Sequence, residues 1–274
     1  MSVDVTVLAR ELREARAARR LLPEPLSSRE PGFDLEAGYA VGAELIRQRV
    51  AEGHRVVGRK VGFANKAVWR ALGLKTLAWG PMYEDTVTGG AGDGASLSLG
   101  RTCLPKIEPE IVFKLARPVE PGQTDPAAVL AAVDWLALGF EIADTLFVDW
   151  KLAPPDFVAA FGHHAALVVG VPRPVDAGSI PSLVEELARC PVRLVRNGEV
   201  VAEGSGRNIL RSPVLCLAEL ASAVAQRSAE PPLAAGDLVS TGSLTEPQRI
   251  APDETWTASV DGLGLTDLTL RTLP

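Results

Sequence analysis

Past residue 55 or so, strand signals outnumber helix signals, and the two kinds do not alternate in a regular βαβ rhythm. That ordering constrains the fold more than any other feature, because a doubly wound parallel sheet needs a crossover helix after nearly every strand. Val56–Val61 is short, β-branched and bounded by glycine, Glu108–Leu115 reads as a strand, and Ala165–Val171 reads as a buried one. Val192–Val195 and Val200–Ala202 flank an Asn197-Gly198 pair, a strong hairpin signal. Further strands are expected over Leu238–Leu273, with turns at Pro252-Asp253 and Asp261-Gly262. Helices are expected at Lys66–Leu72, Asp125–Leu138 and Leu215–Gln226, and Gly73–Gly94 reads largely as loop. Ahead of all this, Val3–Leu22 and the segment from Asp34, a candidate N-cap, to Val50 show helical periodicity. The pattern implies an α+β protein with a mixed sheet and a small N-terminal helical segment. No internal repeat or low-complexity tract is visible.

Charge narrows the partners. The formal net charge of −6 and the dispersed Lys and Arg give no basic patch for nucleic acid or an anionic membrane. Cys103, Cys190 and Cys216 are odd in number, far apart, and form no zinc pattern with His54, His163 and His164. A reduced, cytoplasmic protein is the expectation. Asp4, Arg10, Glu11 and Arg13 leave no signal-peptide apolar region, and no uninterrupted apolar run approaches the ~20 residues that span a bilayer.

Three carboxylates need a reason. In Lys106-Ile107-Glu108-Pro109-Glu110-Ile111, a strand would project Glu108 and Glu110 to one face, where they repel unless solvated or bridged by a cation. Pro109 cannot donate to a ladder, which suggests an edge or bulged position. Glu141 lies in an apolar run with no other charge between Asp134 and Asp144, and an ionised carboxylate buried there demands a paired charge or a metal. A solvated acidic edge and a buried salt bridge to arginine are the plain alternatives. Three carboxylates suit a hard cation, Mg2+ or Mn2+, better than zinc. Lys60 sits between Gly58 and Gly62; taken alone it suits a solvated surface, but near a metal or in a dry pocket its pKa would fall far enough to move protons.

In this order and spacing, Gly58-Arg59-Lys60-Val61-Gly62, the Glu108-Pro109-Glu110 segment and Glu141 resemble the 2-keto-4-pentenoate hydratase and 4-oxalocrotonate decarboxylase family. That family lies within the fumarylacetoacetate-hydrolase-like superfamily. Tyr83-Glu84-Asp85, Asn197-Gly198-Glu199 leading to Gly204-Ser205-Gly206, and Ser240-Thr241-Gly242-Ser243-Leu244 extend the likeness over roughly residues 35 to 270. The resemblance implies a mixed β-sheet or β-roll catalytic domain over residues 76–274, behind a helical segment with one short strand over 1–75. It implies a divalent metal on Glu108, Glu110 and Glu141, with Lys60 and Asp85 as active-site residues. Arg59, Thr241 and Gly242 are expected to meet a small 2-keto or 2-enol carboxylate from aromatic ring-cleavage catabolism. One departure stands out: Val158-Ala159-Ala160-Phe161-Gly162-His163-His164 replaces a polar stretch with an Asp-Asn pair, and His164 is the candidate to take over part of its role. The expected activity is hydration of a 2-hydroxy-2,4-dienoate. The alternatives are decarboxylation of the 4-oxalocrotonate type, acylpyruvate hydrolysis using His163 or His164, and a non-catalytic keto-acid-binding partner subunit. A homo-oligomer, or a complex with a related lyase subunit, is expected from the same resemblance.

Overall fold

The structure, a computed structural model, describes residues 3–89, 94–228 and 230–274. Helices α1 (Val5–Ala17), α2 (Leu26–Arg29) and α3 (Leu35–Ala51) come first. Asp4 and Asp34 cap α1 and α3 by accepting from the amides of Val7 and Ala37, two of the donors a helix start leaves unpaired. α1 buries Leu8, Ala9, Leu12 and Ala15 against Val41 and Leu45 of α3, with Phe147 and Phe161 closing a satellite core.

The chain then runs through β1 (Val56–Gly62), α4 (Lys66–Leu72), β2 (Ala78–Tyr83), β3 (Val87–Gly89), β4 (Ala95–Ser98) and β5 (Lys106–Leu115). Next come α5 (Pro126–Leu130), β6 (Val133–Ala143), α6 (Pro154–Ala159), β7 (His164–Val169), β8 (Arg173–Pro174) and α7 (Ile180–Arg189). β9 (Pro191–Arg196), β10 (Glu199–Ser205), α8 (Pro213–Ala225), β11 (Leu238–Ser240), β12 (Gln248–Arg249), β13 (Thr255–Val260) and β14 (Leu268–Leu273) complete it. Nine strands form one sheet in the order β2-β1-β11-β5-β6-β7-β3, with β12 on β5 and β8 on β6; five form a second, β10-β9-β13-β14-β4. Among the described residues three strand pairs are parallel, β1 with β11, β3 with β7 and β4 with β14, amid antiparallel ones, so the sheets are mixed as the strand ordering implies. The β9–β10 turn has positive φ at both Asn197 (51°) and Gly198 (88°), the conformation a two-residue hairpin of the right twist requires.

Two expectations fail here. The helix expected over Asp125–Leu138 starts where its Asp125 cap predicts but stops at Leu130, and β6 takes over from Val133. β6 lies between β5 and β7 and is buried on both faces through most of its length, so its sequence has no period of two to betray a strand. The Gly73–Gly94 loop contains β2 and β3, with residues 90–93 outside the described ones. β2 is the outermost strand of its sheet, which is why it tolerates Pro81. Helix α8 is apolar nearly all round because it is buried, packed by α5 and α7.

Candidate metal centre and active-site cavity

Register alone assembles the acidic site. In the antiparallel β5–β6 ladder Glu108 stands directly opposite Glu141, and Glu110 projects to the same face two residues on. β11 pairs with β5 so that Ser240 faces Val112, and β1 pairs with β11 so that Lys60 faces Ser240. Lys60, Ser240, Glu110, Glu108 and Glu141 therefore share one side of the sheet. Pro109 lies in a central strand, not at the edge or bulge expected. β11 leaves β5 at Val112 and β12 joins at Ile107, so a proline in the gap forfeits no ladder bond; its carbonyl accepts from the Leu244 amide at 2.8 Å.

One oxygen or another from each of Glu108, Glu110 and Glu141 lies within 4.8 Å of the others. Glu110 is fully buried; its Oε2 accepts from the Ser240 hydroxyl and from the Gly242 amide at 2.8 Å, while Oε1 is buried with no partner. Glu141, also fully buried, has Oε1 3.3 Å from His164 Nδ1 and Oε2 2.9 Å from Lys60 Nζ. The lysine contact is a close ion pair off the lone-pair direction, since Oε2 keeps no aligned hydrogen-bond donor. A carboxylate only accepts, so Nδ1 of His164 carries a proton toward Glu141, while Nε2 lies 2.9 Å from Thr86 Oγ1, whose hydroxyl also has the Tyr83 carbonyl at 2.9 Å.

Burial, then Glu141 and Glu108, push the Glu110 carboxyl well above the usual carboxylate range, and burial raises Glu108 despite Lys60 nearby. Burial also works to raise Glu141, but Lys60 and His164 outweigh it and hold it below its ordinary value. For Lys60, burial alone would release the proton, yet the three carboxylates overcome it and raise its pKa. Without a metal the lysine pKa is raised and not lowered, because its neighbours are anions. With all three carboxylates ionised against one ammonium the surplus is two negative charges, and Glu110 Oε1 and Glu141 Oε2 retain open lone pairs. An all-oxygen set with that surplus fits a hard divalent cation; lysine, not arginine, shares the space.

The centre opens into a cavity of about 570 Å3 lined by Lys60 and Glu108, with Asn65, Lys106, Trp150, Phe157, His163, Gly242 and Ser243 on its walls. Gly242 reaches it as expected. Thr241 does not: its hydroxyl donates to the Ile111 carbonyl, within the sheet. Arg59 points to the opposite side from Lys60, as neighbours on a strand must, and donates to the Pro231 carbonyl at 2.6 Å, with Glu230 and Asp237 beyond. Asp85 is also remote from the cavity; 45% exposed, it is held by Arg49 of α3 at 2.8 Å and His54 at 3.4 Å. His164 touches Glu141 from behind without lining the cavity, whereas its neighbour His163 does line it. Sequence reasoning passed over Lys106, whose ammonium sits 4.3 Å over the Trp150 ring. Its place two residues before Glu108 on the same strand was the available signal.

With this fold and this carboxylate face, the chain belongs to the fumarylacetoacetate hydrolase family, whose model for the C-terminal domain matches residues 82–271. Within that family it is 32% identical over 261 residues, 95% of each chain, to 2-keto-4-pentenoate hydratase of Burkholderia vietnamiensis. It is 33% identical to 2-hydroxypent-2,4-dienoate hydratase of Pseudomonas putida, over 80% of this chain and 94% of that one. Among solved structures, 4-oxalocrotonate decarboxylase from Pseudomonas putida, complexed with magnesium and adipate, superposes with a TM-score of 0.86 at 26% identity, covering 98% of this chain and 97% of that one.

Proposed function

We propose that the protein is a divalent-metal-dependent hydro-lyase that adds water to a 2-hydroxy-2,4-dienoate, giving a 4-hydroxy-2-oxo acid. The observation that carries this reading is the shared face of Glu108, Glu110, Glu141 and Lys60, which meets one cavity at Lys60 and Glu108. The hydratases named among its relatives support the choice of reaction. Bound by the three glutamates, Mg2+ or Mn2+ supplies Lewis-acid stabilisation to the oxygens of a 2-oxo or 2-enol acid.

The chain's own groups do the rest. Ser240 and the Gly242 amide fix Glu110, and His164 fixes Glu141, so two of the three carboxylates are oriented by the chain itself. Hydration places protons on C5 and C3 of the dienol, while the enol gives up its O–H proton and water supplies hydroxide to C4 and the second proton. Lys60 Nζ, 2.9 Å from Glu141 and on the cavity wall, carries at least one of these protons to carbon. The Phe157 ring, 5.4 Å from Nζ, shields it from bulk water. Asp85 and Arg59, turned elsewhere, have no part in this scheme. Acylpyruvate hydrolysis would need a cavity histidine acting as base. His163 has no carboxylate partner, and burial, with Lys60 nearby, drops its pKa to about 3, while His164 lies behind Glu141.

Decarboxylation is the second reading, favoured by the structural likeness to 4-oxalocrotonate decarboxylase. Loss of 2-hydroxypenta-2,4-dienoate with Mg2+ or Mn2+, its abolition by EDTA, and NMR detection of 4-hydroxy-2-oxopentanoate test the hydratase. Metal-dependent CO2 release from 4-oxalocrotonate without hydration of the dienoate would move the assignment to the decarboxylase. Tight oxalate binding with no turnover of either substrate would make the protein a keto-acid binder. The homo-oligomer belongs to the same proposal, and sedimentation velocity reads it.

A further inference from the structure

A second cavity, of about 590 Å3, lies on the other side of β6 and β7 from the carboxylates: Ile142, whose side chain opposes that of Glu141 along β6, is in its wall. Arg16 near the end of α1, Arg19 just beyond it, Arg49 of α3 and Arg101 line it, with Asp85 as the one carboxylate among the described residues of its wall. Asp85 is committed to Arg49 and His54. Among the described residues, no carboxylate lies within 4 Å of the side-chain nitrogens of Arg16, Arg19 or Arg101. In a chain of net charge −6, such a local cluster of guanidinium groups is out of character.

The forks are also held in place. Arg16 donates through Nη2 to the His164 carbonyl at 2.7 Å and lies 4.7 Å over the Phe161 ring; Arg19 donates through Nε to the Thr102 carbonyl at 3.1 Å. Arg49 lies 4.1 Å over the Tyr83 ring, and its Nε is buried with no partner at all. Burial works against the charge of Arg16, whose pKa it lowers. Carbonyls and ring faces orient a guanidinium without neutralising it, and Asp144, farther than 4 Å and committed to the amides of Cys103 and Leu104, offsets the buried Arg16 charge only in part. Fixed planar forks that converge on a cavity match the bidentate geometry of carboxylate and phosphate.

We propose that this arginine cavity is a second binding site, for a small polyanion such as a tricarboxylate or inorganic phosphate. Its occupant acts on the acidic centre through two contacts to His164. Thr86, in the cavity wall, bonds the His164 ring, and Arg16 holds the His164 carbonyl; His164 in turn positions Glu141. The binding site stands on its own observations, and only the coupling rests on the metal reading.

The test uses the full chain freed of metal by EDTA and dialysis. Calorimetric titrations with tricarballylate and with inorganic phosphate are run at ionic strength matched by chloride. Saturable binding is expected, weakened about tenfold or more in Arg19→Gln and in Arg101→Gln; both are exposed residues outside the catalytic cavity. Saturation by one anion and not the other upholds the site and fixes its ligand chemistry. Coupling is read by titrating Mn2+ with and without the anion. A change in Mn2+ affinity of about fivefold, with the reciprocal change in anion affinity, is expected for wild type and not for Arg101→Gln. A weak response equal in wild type and variants at matched ionic strength overturns the site. So does sedimentation showing that the arginine variants dissociate an oligomer while no anion binds, since a second copy of the chain would then fill the cavity. Anion binding without any effect on Mn2+ removes the coupling, and loss of hydratase activity alone bears on neither.

Discussion

Glu110 occupies the most demanding position in the molecule: fully buried, flanked by two carboxylates, one oxygen satisfied and the other bare. Without metal it is a liability, so Glu110→Gln should leave the metal-free protein as stable as wild type, or more so, at pH 8. In wild type, metal at a hundred times its Kd should add about 2.7 kcal/mol by mass action, and the variant should lose that increment together with its activity. Thermal unfolding with and without Mn2+ checks it, and a full metal response in Glu110→Gln, or likewise in Glu141→Gln, would remove the ligand assignment. Lys60→Met keeps an apolar stem over Phe157 but carries no proton, so kcat should fall about 10²- to 10⁴-fold with KM little changed. An effect confined to KM would demote Lys60 to a substrate clamp. At this scale the sequence was informative wherever one strand period sufficed. Glu108 and Glu110 are legible as a same-face pair, and the same rule applied to Lys60 turns Arg59 away. The fate of Asp85 was not legible, because it depends on α3 delivering Arg49 from 36 residues away.

Elements bring the histidines to their posts through one tight contact. The backbone at Gly162 crosses β2 at Gly80 so closely that a Cβ on Gly162 would lie 2.6 Å from the Gly80 Cα, and one on Gly80 would lie 2.5 Å from the Gly162 Cα. Gly162 also has φ of 61°, which costs an L-residue about 1–2 kcal/mol before any clash. Neither neighbour is a side chain that can swing aside. Gly162→Ala should therefore destabilise by about 2 kcal/mol or more and displace His163 and His164 together, lowering activity even where the protein stays folded. Urea midpoints and kcat/KM read the two effects; an unchanged midpoint would show that β2 yields freely. None of this close approach can be seen in the chain, since a glycine before two histidines looks like any loop. What could be read of the elements was what carries a local signature: the Asp4 and Asp34 caps, the Asn197-Gly198 turn, the alternation around Glu108. β6 escaped because the neighbours that bury both its faces are distant in sequence.

At the scale of the whole molecule, the second sheet joins β4, near residue 95, in parallel to β14 at the other end of the chain, a pairing with no local mark in the sequence. The mixed character of the sheets was legible from strand order; their partition into nine and five was not. The connection between β6 and β7 folds back to bury His163 among Phe157, Trp150 and Phe147, with the first stacked on it at 5.5 Å, and leaves both ring nitrogens without partners. Burial, with Lys60 nearby, drops its pKa from the ordinary 6.5 to about 3. The folded protein therefore refuses a proton there at any pH above about 3, whereas the unfolded chain accepts one below 6.5. Unfolding takes up that proton, so this histidine's contribution to stability falls as pH drops below 6.5, by about 1.4 kcal/mol per unit and about 2 kcal/mol by pH 5. The raised carboxyl of Glu110 acts in the opposite sense in metal-free protein, since the folded state then binds the proton more readily, and the lowered His164 adds to the loss. Both are shared by His163→Phe, a variant that keeps an aromatic ring in the stack, so the difference between its curve and wild type isolates His163. Chemical denaturation between pH 5 and 7 should show the wild-type stability falling more steeply by about one proton's slope. Parallel curves would mean that the imidazole is solvated or paired in the folded protein, and that its place in the aromatic box is wrong.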